Sequence, residues 1–194
     1  MSKKLGGMFV ERILAWLQTS EQRMLLWANR RSLSDRVNTW LGRWLGTITH
    51  TGGATFTLST SLLIALFADD PWNTAGWQSL TAVALSHIPV FIVKRKFKRL
   101  RPYQALKQVN IGKKPLVDPS FPSGHTTAIF AWMIPLLMAD AALLPFLAPL
   151  ALVIGFSVAW SRMYLGLHYP SDIAAGGLLG FLTALGTSYI GWLP

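Results

Sequence analysis

Three short stretches of this sequence hold residue types that could handle a phosphate. The first is KRKFKRLRP, residues 94–102. Lys94 and Arg101 stand seven positions apart, which on a continuous helix is two turns and points both cations the same way. Arg offers a fork of donors and Lys a point charge, both suited to phosphate oxygens. Pro102 is expected to stop the helix. The second stretch is FPSGH, residues 121–125, directly before an apolar run. Ser123 can cap the helix that follows. The N–H groups of the first turn, aided by Gly124, would form an anion site. His125, beside that anion, could donate a proton. The third is SRMYLGLHYPSD, residues 161–172, in which Arg162 closes one apolar run and Asp172 opens the next. His168 and Asp172 are four apart. A carboxylate on one ring nitrogen fixes the tautomer and leaves the other nitrogen as a nucleophile.

Each stretch also has a plainer reading. The basic run suits a stop-transfer cluster meeting lipid headgroups, PSGH an ordinary helix cap, and Asp172 a cap beside a loop histidine. Taken jointly, they supply three cations, two histidines, one carboxylate and a helix N-terminus. Ionisable groups near a bilayer are costly, so their convergence points to a site. Metal-free phosphoryl transfer needs such a set. No ligand spacing suggests a metal, and with no cysteine, disulfides and thiolate sites are excluded. No cofactor is expected. The remaining histidines, His50 and His87, read as structural, His87 pairing with a carbonyl around Pro89 or a polar group on a neighbouring helix.

The elements that must position these residues read as membrane helices. Apolar residues make up 52% of the 194 and charged ones 13%, half the charged share of a soluble domain. Five apolar segments, at about residues 48–68, 75–93, 123–139, 143–160 and 172–193, each approach the length that crosses hydrocarbon. Before them, residues 8–31 alternate charge with Phe9, Ile13, Trp16 and Leu17 at helical spacing. That pattern fits an amphipathic helix on the membrane surface, or one packed on its own protein. The expected fold is all-α: a multi-pass bundle of five spans plus the interfacial helix, six helices in one domain. Residues 1–47 form its N-terminal segment and 94–172 its motif-bearing core. Trp40, Trp44, Trp72, Trp77, Trp160 and Trp192 fall near expected ends, where amphipathic rings are favoured. Gly176 and Gly180 form a GxxxG pair that would admit a close helix, and are the expected face of a homo-oligomer.

Five spans put residues 1–47, 94–122 and 161–171 on one side, with all 18 Lys and Arg. The opposite loops carry Asp69, Asp70 and Asp140. The positive-inside rule makes the basic side cytoplasmic. The net charge of +10 suits anionic lipid or a phosphorylated substrate; the apolar content argues against nucleic acid.

Lys94-x6-Arg101-Pro102, Pro122-Ser123-Gly124-His125 and Ser161-Arg162-x5-His168-x3-Asp172 resemble the three motifs of the type 2 phosphatidic acid phosphatase superfamily, in order and spacing. The resemblance implies that His168 attacks phosphorus to form a phosphohistidine, that Asp172 orients His168, and that His125 protonates the leaving oxygen. It implies that Lys94, Arg101, Arg162, Ser123 and Gly124 hold the phosphate oxygens. The implied substrate is a membrane lipid phosphate such as phosphatidate, phosphatidylglycerol phosphate or undecaprenyl diphosphate. The implied place is the cell membrane; related bacterial enzymes commonly work on the outer face, against the charge count here. Two other readings are a lipid-phosphate carrier without turnover and a vanadium haloperoxidase-like enzyme. The loop from Tyr103 to Pro119, with Lys107, Lys113 and Lys114, is either a headgroup selector or a solvated loop on anionic lipid.

Overall fold

The computed structural model describes residues 2–30, 34–111 and 115–190, with side chains from residue 11 onward, Leu14 excepted. Phe9, Lys113, Lys114 and Trp192, singled out above, lie outside the described side chains. Every regular element among the described residues is helical: α1 (Ser2–Asn29), α2 (Asp35–Ile48), α3 (Ala54–Phe67), α4 (Trp72–Phe97), α5 (Pro102–Ala105), α6 (Gly124–Met138), α7 (Leu144–Tyr164) and α8 (Pro170–Tyr189). A 3₁₀ turn, Thr49–Gly52, joins α2 to α3.

The all-helical class is as expected, but the expected count of six helices is too low. The segment before the first apolar run holds two helices, α1 and α2. The short α5 follows α4, because Lys98 takes a left-handed φ of 44° and ends α4 at Phe97. Pro102 then opens α5 as its first residue instead of stopping a helix, a position that needs no backbone N–H. Arg101 is therefore not on the helix of Lys94, and the two-turn argument for their common direction fails.

The five apolar segments appear as α3, α4, α6, α7 and α8, which alternate in direction. Gly76 at the start of α4 abuts Ala65 near the end of α3, while Gly52 before α3 abuts the His125 backbone at the start of α6. The segment holding α4 and the helix α7 are long and apolar enough to cross a membrane; α3 and α6 are shorter apolar helices. α6 lies at the centre, packing on α4, α7 and α8. Ala82, Val83, Ala131 and Ala184 fill one contact region and Ile129, Met133, Ala151 and Val158 another. Small residues allow that approach, while Leu63, Phe67, Phe91, Leu152 and Phe156 point outward, as lipid-facing residues do.

Gly176 and Gly180 are buried on α8 against α6. A Cβ at Gly180 would stand 2.2 Å from the Thr127 carbonyl oxygen, and one at Gly176 2.5 Å from that of Ser123. The glycine face is thus used within the chain, and the expectation that it serves a homo-oligomer is corrected. α1 packs on its own protein through Leu25, Ala28 and Asn29, which are buried, while Ile13, Trp16, Leu17 and Trp27 are exposed. α2 likewise turns Val37, Trp40 and Trp44 outward.

Candidate active site

Alternation brings the ends of α4 and α7 and the starts of α6 and α8 to one end of the bundle, and the three stretches meet there. Ser123 caps α6 by accepting from the Thr126 N–H, and its hydroxyl pairs with Thr126 Oγ1 at 2.9 Å. Its own N–H donates to the Asp172 carbonyl at 2.9 Å, tying the second stretch to the third. The N–H groups of Gly124 and His125 fall in the first helical turn, which has no intrahelical acceptor. His125 stands within electrostatic reach of Arg162, His168, His50 and Lys94.

After α7 the chain turns at Gly166, whose φ of 68° brings its Cα against Val109 and the Asn110 carbonyl; a side chain there would be strained and would collide. The turn buries His168 beside Arg101, a fully buried side chain. The Arg101 guanidinium donates from Nη1 to the Leu167 carbonyl at 2.9 Å and lies 3.2 Å from His168 Nε2. It donates from Nε to the Asp118 carbonyl at 2.7 Å and from Nη2 to Asp118 Oδ1 at 2.8 Å. Lys94 pairs with Asp118 Oδ2. Lys94 and Arg101 do converge, through a shared carboxylate and not through a shared helix. Burial alone would raise the Asp118 carboxyl; hydrogen bonds and charge from Lys94 and Arg101 outweigh it and hold the group below the usual carboxylate range.

Burial first, then the charges of Arg162, Arg101 and Lys94, holds His168 well below the pKa of a free imidazole. The ring is neutral, with Nε2 as acceptor toward Arg101. His168 Nδ1 lies 3.6 Å from Asp172 Oδ2, too long for a closed hydrogen bond. Asp172 also caps α8, with Oδ2 accepting from the Tyr169 N–H at 2.8 Å. The cap is thus formed by the same carboxylate that stands beside His168. Arg162 is buried and donates from Nη1 to Thr49 Oγ1 at 2.8 Å; its Nε and Nη2 have no partner among the described residues. His87 bonds through Nδ1 to the Val83 carbonyl, one turn back on its own helix, and not near Pro89.

The sequence reading missed Asp118, Arg99, Glu21, Ser120 and Thr49. Arg99 donates to Asp172 Oδ1 at 2.6 Å and to Ser171 Oγ at 2.8 Å, and pairs with Glu21 of α1. Ser120, fully buried, donates its N–H to the Arg99 carbonyl. Glu21 shares the N-terminal segment with Glu11 and Asp35, so its type alone did not single it out; Asp118 is the one acidic residue between Lys94 and Pro122.

Residues 75–193 match the family model described as the PAP2 superfamily. The chain belongs to the PAP2 superfamily. Phosphatidylglycerophosphatase B of Bacillus subtilis is 31% identical over 159 residues, covering 74% of this chain and 71% of that protein. Putative undecaprenyl-diphosphatase YbjG of Escherichia coli is 32% identical, covering 60% of this chain and 59% of that one. Bacitracin transport permease protein BcrC of Bacillus licheniformis is 40% identical over 44% of this chain and 40% of its own length. The chain spans about half the length of most curated relatives it matches. In fold, this PAP2 chain superposes on Aquifex aeolicus LpxE with a TM-score of 0.71, at 20% identity, covering 85% of this chain and 92% of that one. The crystal structure of a transmembrane PAP2-type phosphatidylglycerolphosphate phosphatase from Bacillus subtilis gives 0.69 at 24%, covering 90% and 85%. The three motif stretches lie within the matched residues.

Proposed function

We propose that this chain hydrolyses the phosphate of a membrane lipid through a phosphohistidine on His168. The observation that carries the reading is a buried neutral imidazole with Arg101 at its Nε2 and Asp172 on its Nδ1 side. The Nε2 lone pair attacks phosphorus and the P–O bond to the lipid breaks. Asp172 balances the imidazolium formed. His125 gives its proton to the leaving oxygen, then takes one from the water that frees inorganic phosphate. Lys94, Arg101 and Arg162, with the first-turn N–H groups of α6, hold the charge spread over the non-bridging oxygens. Relatives named for undecaprenyl diphosphate and phosphatidylglycerophosphate support a lipid substrate. A site at the end of an apolar bundle also supports it, since such a substrate keeps its tail in the bilayer.

The five alternating helices are read as five spans, α1 and α2 as helices lying on the membrane surface, and the site as facing the cytoplasm, the side that holds every Lys and Arg. Reporter fusions at the two termini should mark opposite sides. The activity is tested by phosphate release from phosphatidate, phosphatidylglycerol phosphate and undecaprenyl diphosphate in detergent. His168→Ala should lower turnover by roughly three orders of magnitude or more while the protein still folds. Near-normal turnover in that variant, or lipid binding without phosphate release in the unaltered protein, would overturn the assignment.

A further inference from the structure

The residue that Lys94 and Arg101 grip is one that no motif assigns. Arg101 is buried and Lys94 half-buried, their side chains 1% and 17% exposed, yet the carboxylate between them belongs to a side chain 49% exposed. The same guanidinium that carries it touches the nucleophilic nitrogen of His168. The carboxylate oxygens of Asp118 therefore stand where two oxygens of a bound phosphate would be held. The loop does not depend on this grip for its place. Tyr103 Oη donates to the Leu116 carbonyl at 2.7 Å on one side and the Ser120 N–H to the Arg99 carbonyl at 2.9 Å on the other. Arg101 Nε holds the Asp118 backbone carbonyl as well. A turn of the Asp118 side chain toward solvent releases both cations and leaves the backbone anchored.

We propose that Asp118 is a resident occupant of the phosphate seat: its carboxylate fills the seat of the resting protein, and a ligand enters only by displacing it. The proposal rests on the phosphatase reading for the identity of the seat. Its consequence is a threshold on affinity. Lys94, Arg101 and Arg162 favour a dianionic terminal phosphate over a monoanionic diester, and Asp118 leaves that ratio alone. What it does is weaken every ligand of the seat by the same factor, the inverse of the fraction of time the seat is open.

The test is binding, so it does not depend on turnover. Inorganic phosphate and dimethyl phosphate are titrated calorimetrically into the purified full chain in phosphate-free detergent, at a pH where inorganic phosphate is dianionic. Asp118→Asn, with Asp118→Ser as a second variant, should tighten inorganic phosphate and dimethyl phosphate by the same factor, about tenfold or more, as expected if the seat is open a tenth of the time or less. Asp118→Glu, which keeps the charge, should stay near the unaltered protein. Unchanged or weaker binding of both probes by the two variants would show a carboxylate that merely braces the cations, and would sink the proposal. So would tightening of inorganic phosphate with little or none of dimethyl phosphate, which marks charge repulsion at a distance and not a shared seat. Failure of the phosphatase reading would show separately, as absence of phosphate release from every lipid tested.

Discussion

Arg162 offers a test in which stability and activity are expected to move in opposite directions. It is buried, two of its guanidinium nitrogens have no partner among the described residues, and it stands close enough to Arg101 to feel that charge. Replacing it with Met removes two unpaired buried donors, each costing about 1–3 kcal/mol, and loses the bond to Thr49, worth about 1.5–3 kcal/mol. Removing its repulsion with the other cations adds to the gain. The net is a stabilisation of about 1–2 kcal/mol, or about 2–8 °C in Tm for a chain of this length. Activity should fall by about 10²–10³-fold, the usual cost of one preorganised donor at a developing negative charge. Thermal unfolding followed by tryptophan fluorescence in phosphate-free detergent gives the first quantity, and phosphate release per folded protein the second. Vanadate should raise the Tm of the unaltered protein and shift the variant much less. A variant that is several degrees less stable and keeps half its activity would refute the reasoning, since Arg162 would then be a structural cation.

Arg99→Gln should lower kcat about tenfold and leave KM nearly unchanged, because Arg99 touches Asp172 and not the phosphate seat; Arg99→Lys should restore part of the loss, and an equal change in KM would count against a positioning role. Stability should depend on pH through His168. Its folded pKa lies below its unfolded one, so the unfolded chain binds the extra proton: stability is full above about pH 6.5 and falls as pH drops below it, by up to about 1.4 kcal/mol per unit. His168→Ala should flatten that slope between pH 6.5 and 4.5, and an unaltered slope would show that other groups set it.

What was legible in the sequence was local. Apolar run length gave the five alternating helices, and spacing gave Ser123 as a cap and the neighbourhood of His168 and Asp172. What was not legible depends on where a helix ends or on residues far apart in the chain. The left-handed turn at Lys98 carries no strong signal in a lysine, and it is the reason Arg101 reaches the site through a loop. The partners Asp118–Arg101 and Arg99–Glu21 form only after the bundle closes, so no periodicity announces them. The glycine pair was read correctly as a close-packing device and wrongly as a surface, because a sequence does not say whether the approaching helix belongs to the same chain.

The backbone contact of α8 with α6 has a consequence for how such a site can diversify. Ser123 and Asp172 are joined through main-chain atoms, and Gly176 and Gly180 fix the register of α6, which carries His125, against α8, which carries Asp172. These two groups are thereby indexed by helix pitch, like teeth on meshed gears. Helix register sets where His125 and Asp172 stand, while Asp118 of the Tyr103–Pro119 loop and Glu21 of α1 set which cations reach them. Alignment and charge are thus carried by different parts of the chain, and a change in one leaves the other's scaffold in place.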